Sequence, residues 1–210
     1  MKQIGWISGA AAAVLVAAGA ITYAVADGVG GGDSTLTVPA ADSADAGFAR
    51  DMAVHHQQAV EMSYIVRDRT SNVEVRRLAY DIAQTQANQR GMLLGWLDLW
   101  GLPKVSSDGP MAWMGMAGMA SGEDGQLMPG MATNTELEKL NTLSGKQAEI
   151  LYLQLMTEHH LGGIHMAEGC AEKCRVGAER KLATGMVQAQ KSEIDLMADL
   201  LKSRGAKPRS

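Results

Sequence analysis

Residues 48–101 of this 210-residue chain align with residues 152–205 without a gap, at a constant offset of 104. Arg76 answers Arg180, Leu78 answers Leu182 and Ala79 answers Ala183. Further along, Gln84 and Gln86 answer Gln188 and Gln190, Leu97 answers Leu201, and Gly101 answers Gly205. A repeat of this length holds one supersecondary unit, and two copies must bury their apolar faces together. Each copy reads as two long helical stretches broken by a short turn, which is an antiparallel helical hairpin. The expected architecture is therefore all-α: a four-helix bundle made of two repeated hairpins related by a pseudo-twofold axis.

Local signals set the boundaries. Asp42 or Ser43 can cap a first helix that runs to about Arg69, and Thr70-Ser71-Asn72 is turn-like and caps a second. That second helix runs to Trp100 and stops at Gly101, with Pro103 just beyond. A short helix is expected near 136–143, a third long one over about 146–173, and a fourth ending at Gly205. The bundle then spans 44–205, with repeat one at 48–101, a methionine-rich linker at 102–133 and repeat two at 152–205.

All five histidines fall in two short segments. One is Met52-Ala-Val-His55-His56-Gln-Gln-Ala59-Val-Glu-Met62, and the other is Met156-Thr-Glu-His159-His160-Leu-Gly-Gly163-Ile-His165-Met166. At about 100° per residue, Met52, His55, Ala59 and Met62 share one helical stripe and His56 flanks it. Thioether sulfur and imidazole nitrogen are thus clustered on a helix, twice, which is a soft-metal constellation with copper(I) as the first candidate. A methionine stripe alone is more often core, and a lone buried histidine is more often a satisfied polar group. Two copies in register weigh against both bland readings. Di-iron bundles carry Glu-x-x-His, but here Met52 and Met156 stand three residues before His55 and His159. A thioether in place of a hard carboxylate moves the preference from iron to copper(I), or to silver(I) as its mimic. Structural zinc sites do not use methionine. His165, whose counterpart is Glu61, either enriches the second cluster or sits on the helix exterior.

With the first turn centred near residues 70–71, His55 comes level with Gln86. By the same count His159 comes level with Gln190. These amides are candidates to hold the free ring N–H of a ligating histidine; the alternative is that they are solvated.

The linker carries Met111, Met114, Met116 and Met119 in a Met-x-x-Met-x-Met-x-x-Met run, followed by Met128 and Met131. The chain holds fourteen methionines, more than a well-specified core needs. The run is an auxiliary set of thioether ligands for capturing copper(I), with Trp113 placed to pack over a bound cation; the bland reading is a loose connector. Cys170 and Cys174 are the only cysteines, four apart. A disulfide at a helix end is the expectation for an exported chain; a thiolate pair joining the metal set is the alternative.

Export is read from the N-terminus. Lys2 precedes an apolar run over residues 4–26, and Asp27 and Asp33 follow it. Ala24-Val25-Ala26 suits a signal-peptidase site, yet the run is also long enough to span a bilayer. Residues 1–26 are a signal peptide or a membrane anchor, and residues 27–43 a flexible tether. No cysteine lies near the run for lipid attachment. The net charge of −4, with no basic patch, argues against nucleic acid as a partner.

The segments Phe48-Ala-Arg-Asp51-Met52-Ala-Val-His55-His56-Gln-Gln-Ala59-Val-Glu61-Met62 and Met156-Thr-Glu-His159-His160-Leu-Gly-Gly-Ile-His165-Met166-Ala-Glu168 resemble the two signature segments of the domain-of-unknown-function 305 family. The resemblance covers about 48–205 and implies a ferritin-like helical bundle. It also implies extracytoplasmic copper binding or tolerance, since the family includes exported, copper-binding CopM-type members. By position, the family's metal-associated residues fall on Met52, His55, His56, Met62, Met156, His159, His160 and Met166. His165 and the Cys170/Cys174 pair lie outside that pattern.

The functional expectation is a non-enzymatic copper(I)-binding protein outside the cytoplasmic membrane, buffering copper or relaying it to a transporter or chaperone. The runner-up is a ferritin-like metal-dependent oxidoreductase. The third reading is a helical interaction module that uses methionine as a packing face and binds no metal.

Overall fold

The computed structural model describes residues 38–117, 122 and 124–209. The expected signal or anchor segment, the tether up to residue 37 and Met119 lie outside the described residues. The described residues form one compact unit. It contains five helices, α1 (Ala44–Arg69), α2 (Val73–Leu99), α3 (Asn134–Thr142), α4 (Gly145–Lys173) and α5 (Gly177–Ser203), plus a 3-10 turn at Ala112–Met114. No strand occurs among the described residues. No helix among them is long and apolar enough to cross a membrane.

Polar caps decide where these helices begin. The Ser43 hydroxyl accepts from the Ala46 N–H at the start of α1, and Asn72 accepts from Val75 at the start of α2. Thr133 and Glu136 form a reciprocal capping box on α3. α1 and α2 are joined by residues 70–72 and α4 and α5 by residues 174–176, so each pair is a tight hairpin. The ends of α1 and α4, and both ends of α2 and α5, differ by 104 residues. Arg76 seals the first turn by donating to the Arg67 and Thr70 carbonyls. Its repeat partner Arg180 donates to the Cys174 carbonyl in the second.

The hairpins meet through α1 and α4, while α2 packs on α1 and α5 packs on α4. Two apolar clusters fill the seam. One contains Met52 of α1 with Met166 of α4, together with Phe48, Leu93, Leu97 and Met186. The other contains Met62 of α1 with Met156 of α4, together with Ile82, Tyr152, Leu155 and Met197. An early α1 position therefore shares a layer with a late α4 position, so α1 and α4 run antiparallel. Each hairpin also holds the other's turn. Asp45 of α1 accepts from the Arg175 and Val176 N–H groups, while Glu149 of α4 accepts from the Thr70 hydroxyl and pairs with Arg204.

The linker is an ordered part of the core. Met111, Met128 and Met131 are buried in the first cluster, and Met114 and Met116 pack against it half-buried. Asp51 of α1 anchors the first stretch, accepting from the Met111 N–H at 2.8 Å and the Trp113 Nε1–H at 2.9 Å. Trp113 packs edge-on to Phe48 and over Gly47, where a Cβ would meet its ring at 2.4 Å. The indole thus has an apolar neighbour on α1 and a carboxylate on its nitrogen. Linker residues 102–117 and 124–133 are neither a loose connector nor a free methionine arm.

Candidate metal centre

Between the two apolar clusters lies a layer of four histidines. His55, His56 and His160 are fully buried and His159 is 1 % exposed. The two repeats contribute to one layer at the α1–α4 seam. The rings of His55 and His159 lie face to face, 3.7 Å between centroids and tilted by 31°. The His159 Nε2–H donates to the His55 carbonyl at 3.0 Å, a direct link between equivalent residues of the repeat.

The flanking histidines are held from behind. The His56 Nε2–H donates to Gln89 Oε1 at 2.8 Å, and the His160 Nε2–H donates to Glu193 Oε2 at 2.6 Å. Gln89 and Glu193 are themselves 104 apart. A proton fixed on Nε2 leaves the lone pair on Nδ1. The Nδ1 atoms of His56, His159 and His160 are buried with no hydrogen-bond partner, and His55 has none at either nitrogen. Buried polar atoms without partners are rare and need an explanation. Here they occur on all four rings of one layer.

Burial sets the protonation state. It lowers His55 and His159 well below the usual imidazole value, and their histidine neighbours lower them further. Burial brings His56 down to about 3, against the opposing effect of the Gln89 hydrogen bond. These three rings are neutral at physiological pH, the state in which imidazole binds a metal. Among the described residues, the one trio of His, Cys, Asp or Glu donor atoms lying within 4.8 Å of one another is Cys170, Cys174 and Glu179. Met52, Met62, Met156 and Met166 lie in the two clusters that border the four histidines.

The linker roofs this layer. Gln58 of α1 donates from Nε2 to the Ala132 carbonyl at 2.8 Å and accepts the Ala132 N–H at 2.7 Å, clamping the strap like a strand partner. On the α4 side Pro129 and Gly130 cross Gly162, where an added Cβ would meet the Pro129 oxygen at 2.1 Å. The same Pro129 carbonyl lies near the His55 ring, outside full hydrogen-bond geometry, and favours its protonated form. Because Gln58 satisfies both backbone groups of Ala132, Gln58→Leu is expected to cost about 2 kcal/mol by orphaning them. Chemical denaturation of wild type and variant measures it.

Other candidates sit elsewhere. His165 is exposed on the outer face of α4, away from the histidine layer. Gln86 and Gln190 are buried, not solvated, but they carry no bond to a histidine: both polar atoms of Gln86 and the Oε1 of Gln190 lack a partner. The groups that hold the histidines, Gln89 and Glu193, come three residues later. Their signal in the sequence was an acceptor 33 residues after His56 and after His160, masked because one is an amide and the other an acid. Cys170 and Cys174 are joined by a disulfide at the C-terminus of α4, so they supply no thiolate in this state.

The family model described as "Domain of unknown function (DUF305)" matches residues 45–201. A DUF305 protein of Streptomyces coelicolor, described as a candidate secreted protein, is 72% identical with a TM-score of 0.76, covering 81% of this chain and 99% of its own. A DUF305 fragment from Deinococcus radiodurans is 29% identical with a TM-score of 0.62, over 76% and 96% of the two chains. CopM in its Cu(I)-bound form is 19% identical with a TM-score of 0.58, over 76% and 96%, and shows likeness of fold. CopM has also been solved with Cu(II) and with Ag bound. No curated protein matches the chain. With a family match running from the start of α1 to the end of α5, the chain belongs to the DUF305 family.

Proposed function

We propose that this protein is an extracytoplasmic copper(I)-binding protein, a ferritin-like four-helix bundle that buffers or relays the ion through its shared Met/His layer. The carrying observation is the set of four buried rings whose free nitrogens have no partner, bordered by methionines from both repeats. His55, His56, His159 and His160 supply nitrogen; Met52, Met62, Met156 and Met166 supply sulfur; Gln89 and Glu193 orient the flanking rings. Met111 and Met114, with Met116 beside them, extend the sulfur supply towards the surface. Neutral imidazole and thioether suit a soft monovalent ion, since binding buries one positive charge with the Glu193 carboxylate behind His160 as an anion close by. CopM, a similar fold, is known with Cu(I), Cu(II) and Ag bound. Export is supported by the N-terminal apolar run and by the description of the Streptomyces relative. A relay would hand the ion to a copper transporter or chaperone.

Anaerobic competition against a chromogenic copper(I) chelator tests the reading. The wild-type domain is expected to withdraw at least one ion. The double variants His55→Ala/His56→Ala and His159→Ala/His160→Ala should each weaken retention by 100-fold or more, because both repeats build one layer. Wild-type stoichiometry and affinity in both doubles would overturn the assignment. Silver(I) should raise the melting temperature of wild type in proportion to its occupancy, and not that of the doubles.

A further inference from the structure

The two hairpins are built alike around their turns, yet the turns differ in one corner. In the first hairpin the positions facing the turn are Val66, Thr70 and Val75, all buried. The equivalent positions in the second are Cys170, Cys174 and Glu179, also buried. An apolar corner with one hydroxyl therefore suffices to build the hairpin. The second copy replaces it with two sulfurs and an acid whose donor atoms lie within 4.8 Å of one another. Glu179 is 0 % exposed; its oxygens meet no partner in full hydrogen-bond geometry, and the Asp45 side chain beside it favours its protonated form. Burying a carboxyl at that place costs free energy, where burying a valine contributes it.

We propose that Cys170, Cys174 and Glu179 form a second metal site, closed while the disulfide stands and opened by its reduction to hold one thiophilic divalent cation of the zinc class. The reductant is a dithiol. The Cys170–Cys174 bond breaks as the dithiol's own sulfurs join, two electrons pass, and the two protons released by the dithiol go to the Cys170 and Cys174 sulfurs. The cation then displaces those two protons and the Glu179 proton.

Charge selects the ion. Two thiolates and one carboxylate carry −3, so a divalent cation leaves −1 in the buried corner, while a monovalent one leaves −2. Sulfur and carboxylate together are a zinc-type donor set with one position left open. Before the ion arrives the corner is uncharged, because burial and the neighbouring Asp45 carboxylate push the Glu179 carboxyl up to about 9. Access comes from the hairpin end, where Arg175 next to Cys174 is exposed. Arg180, donating to the Cys174 carbonyl, fixes the backbone on which one sulfur is carried. This site is independent of the histidine layer and stands or falls apart from the copper reading.

Cobalt(II) is the probe, added anaerobically to the full exported domain with and without prior reduction by a phosphine. Reduced protein is expected to bind one equivalent with a thiolate-to-cobalt charge-transfer band, bleached by one equivalent of zinc(II). Oxidised protein should show no such band, nor should Cys170→Ser/Cys174→Ser, which also corrects for cobalt on histidine. Glu179→Gln should keep the band and weaken cobalt binding at least tenfold. If the serine double variant does not fold, zinc protection of reduced wild type from iodoacetamide replaces it, with slowing of alkylation by tenfold or more expected. Reduced wild type with no charge-transfer band, or alkylation unslowed by zinc, would overturn the proposal.

Discussion

Alanine at Gly162 is expected to destabilise the protein by about 3 kcal/mol, at the upper end for overpacking by one methyl group. The added carbon would stand 2.1 Å from the Pro129 oxygen, and Gly130 on the same strap already approaches the α4 backbone. Both partners are main chain, so neither can rotate away. The strap must lift, and lifting breaks the paired Gln58–Ala132 bonds and uncovers Met128 and Met131. Helix propensity pulls the other way by about 1 kcal/mol and loses. Gly91→Ala on exposed α2, where a Cβ meets nothing within 4 Å, supplies the control. It should stabilise by about 0.5–1 kcal/mol. Urea melts of the two variants read opposite signs, and a Gly162→Ala protein as stable as wild type would remove the strap from the core.

The second large effect is on acid stability of the metal-free protein. His55, His56 and His159 are held neutral when folded, with values below the usual one near 6.5. Above pH 6.5 both folded and unfolded forms are neutral at these positions, and no stability is lost. Below it the unfolded chain takes up protons that the folded chain refuses, so stability falls as pH falls. Each such histidine removes about 1.4 kcal/mol per pH unit until its folded value is reached. Glu179 acts in the opposite sense. With its carboxyl up at about 9, its contribution is complete below the usual carboxylate value of 4.5 and fades as pH rises towards 9. Just below pH 6.5 the three histidines outweigh it, so the acid limb is steeper than the single-proton slope of about 1.4 kcal/mol per unit. Above 6.5 Glu179 alone gives a gentler decline. Stability should therefore peak near pH 6.5, steep on the acid side and shallow on the alkaline side. Denaturant midpoints in the presence of a chelator, between pH 4.5 and 8.5, trace the curve; a flat acid limb would mean that the histidines are hydrated.

The hairpins were readable in the sequence because repeat and caps agree. Ser43, Asn72 and the turn near Cys174 sit where side-chain chemistry says a helix must start or stop, and gapless alignment carries one hairpin onto the other. The pairing of the histidines with their supports was not. Counting residues back from the turn puts His55 level with Gln86, but side chains lean towards the N-terminus of their own helix. On two antiparallel helices the tips therefore meet between residues later in number than the backbone level suggests, as His56 and Gln89 do. The roof over the histidines was hidden for a different reason. Gln58 and Gly162 occupy the same place in the repeat but have unlike side chains. One holds the strap by amide bonds and the other by having no side chain, so their common task leaves no common letter. Trp113 looked like a lid for a cation, whereas Asp51 and Phe48 already occupy it.

The exchange of acids between the hairpins has a consequence for how this protein comes apart. Asp45 belongs to the first hairpin and fastens the bend of the second; Glu149 belongs to the second and fastens the bend of the first. Opening the second bend strands Asp45 in the first hairpin, and opening the first takes the Thr70 hydroxyl from Glu149, which keeps Arg204; fraying at one end is thus felt at both. Amide hydrogens at the two bends should then exchange at rates close to those of the central helices, and the halves should melt in a single concerted transition.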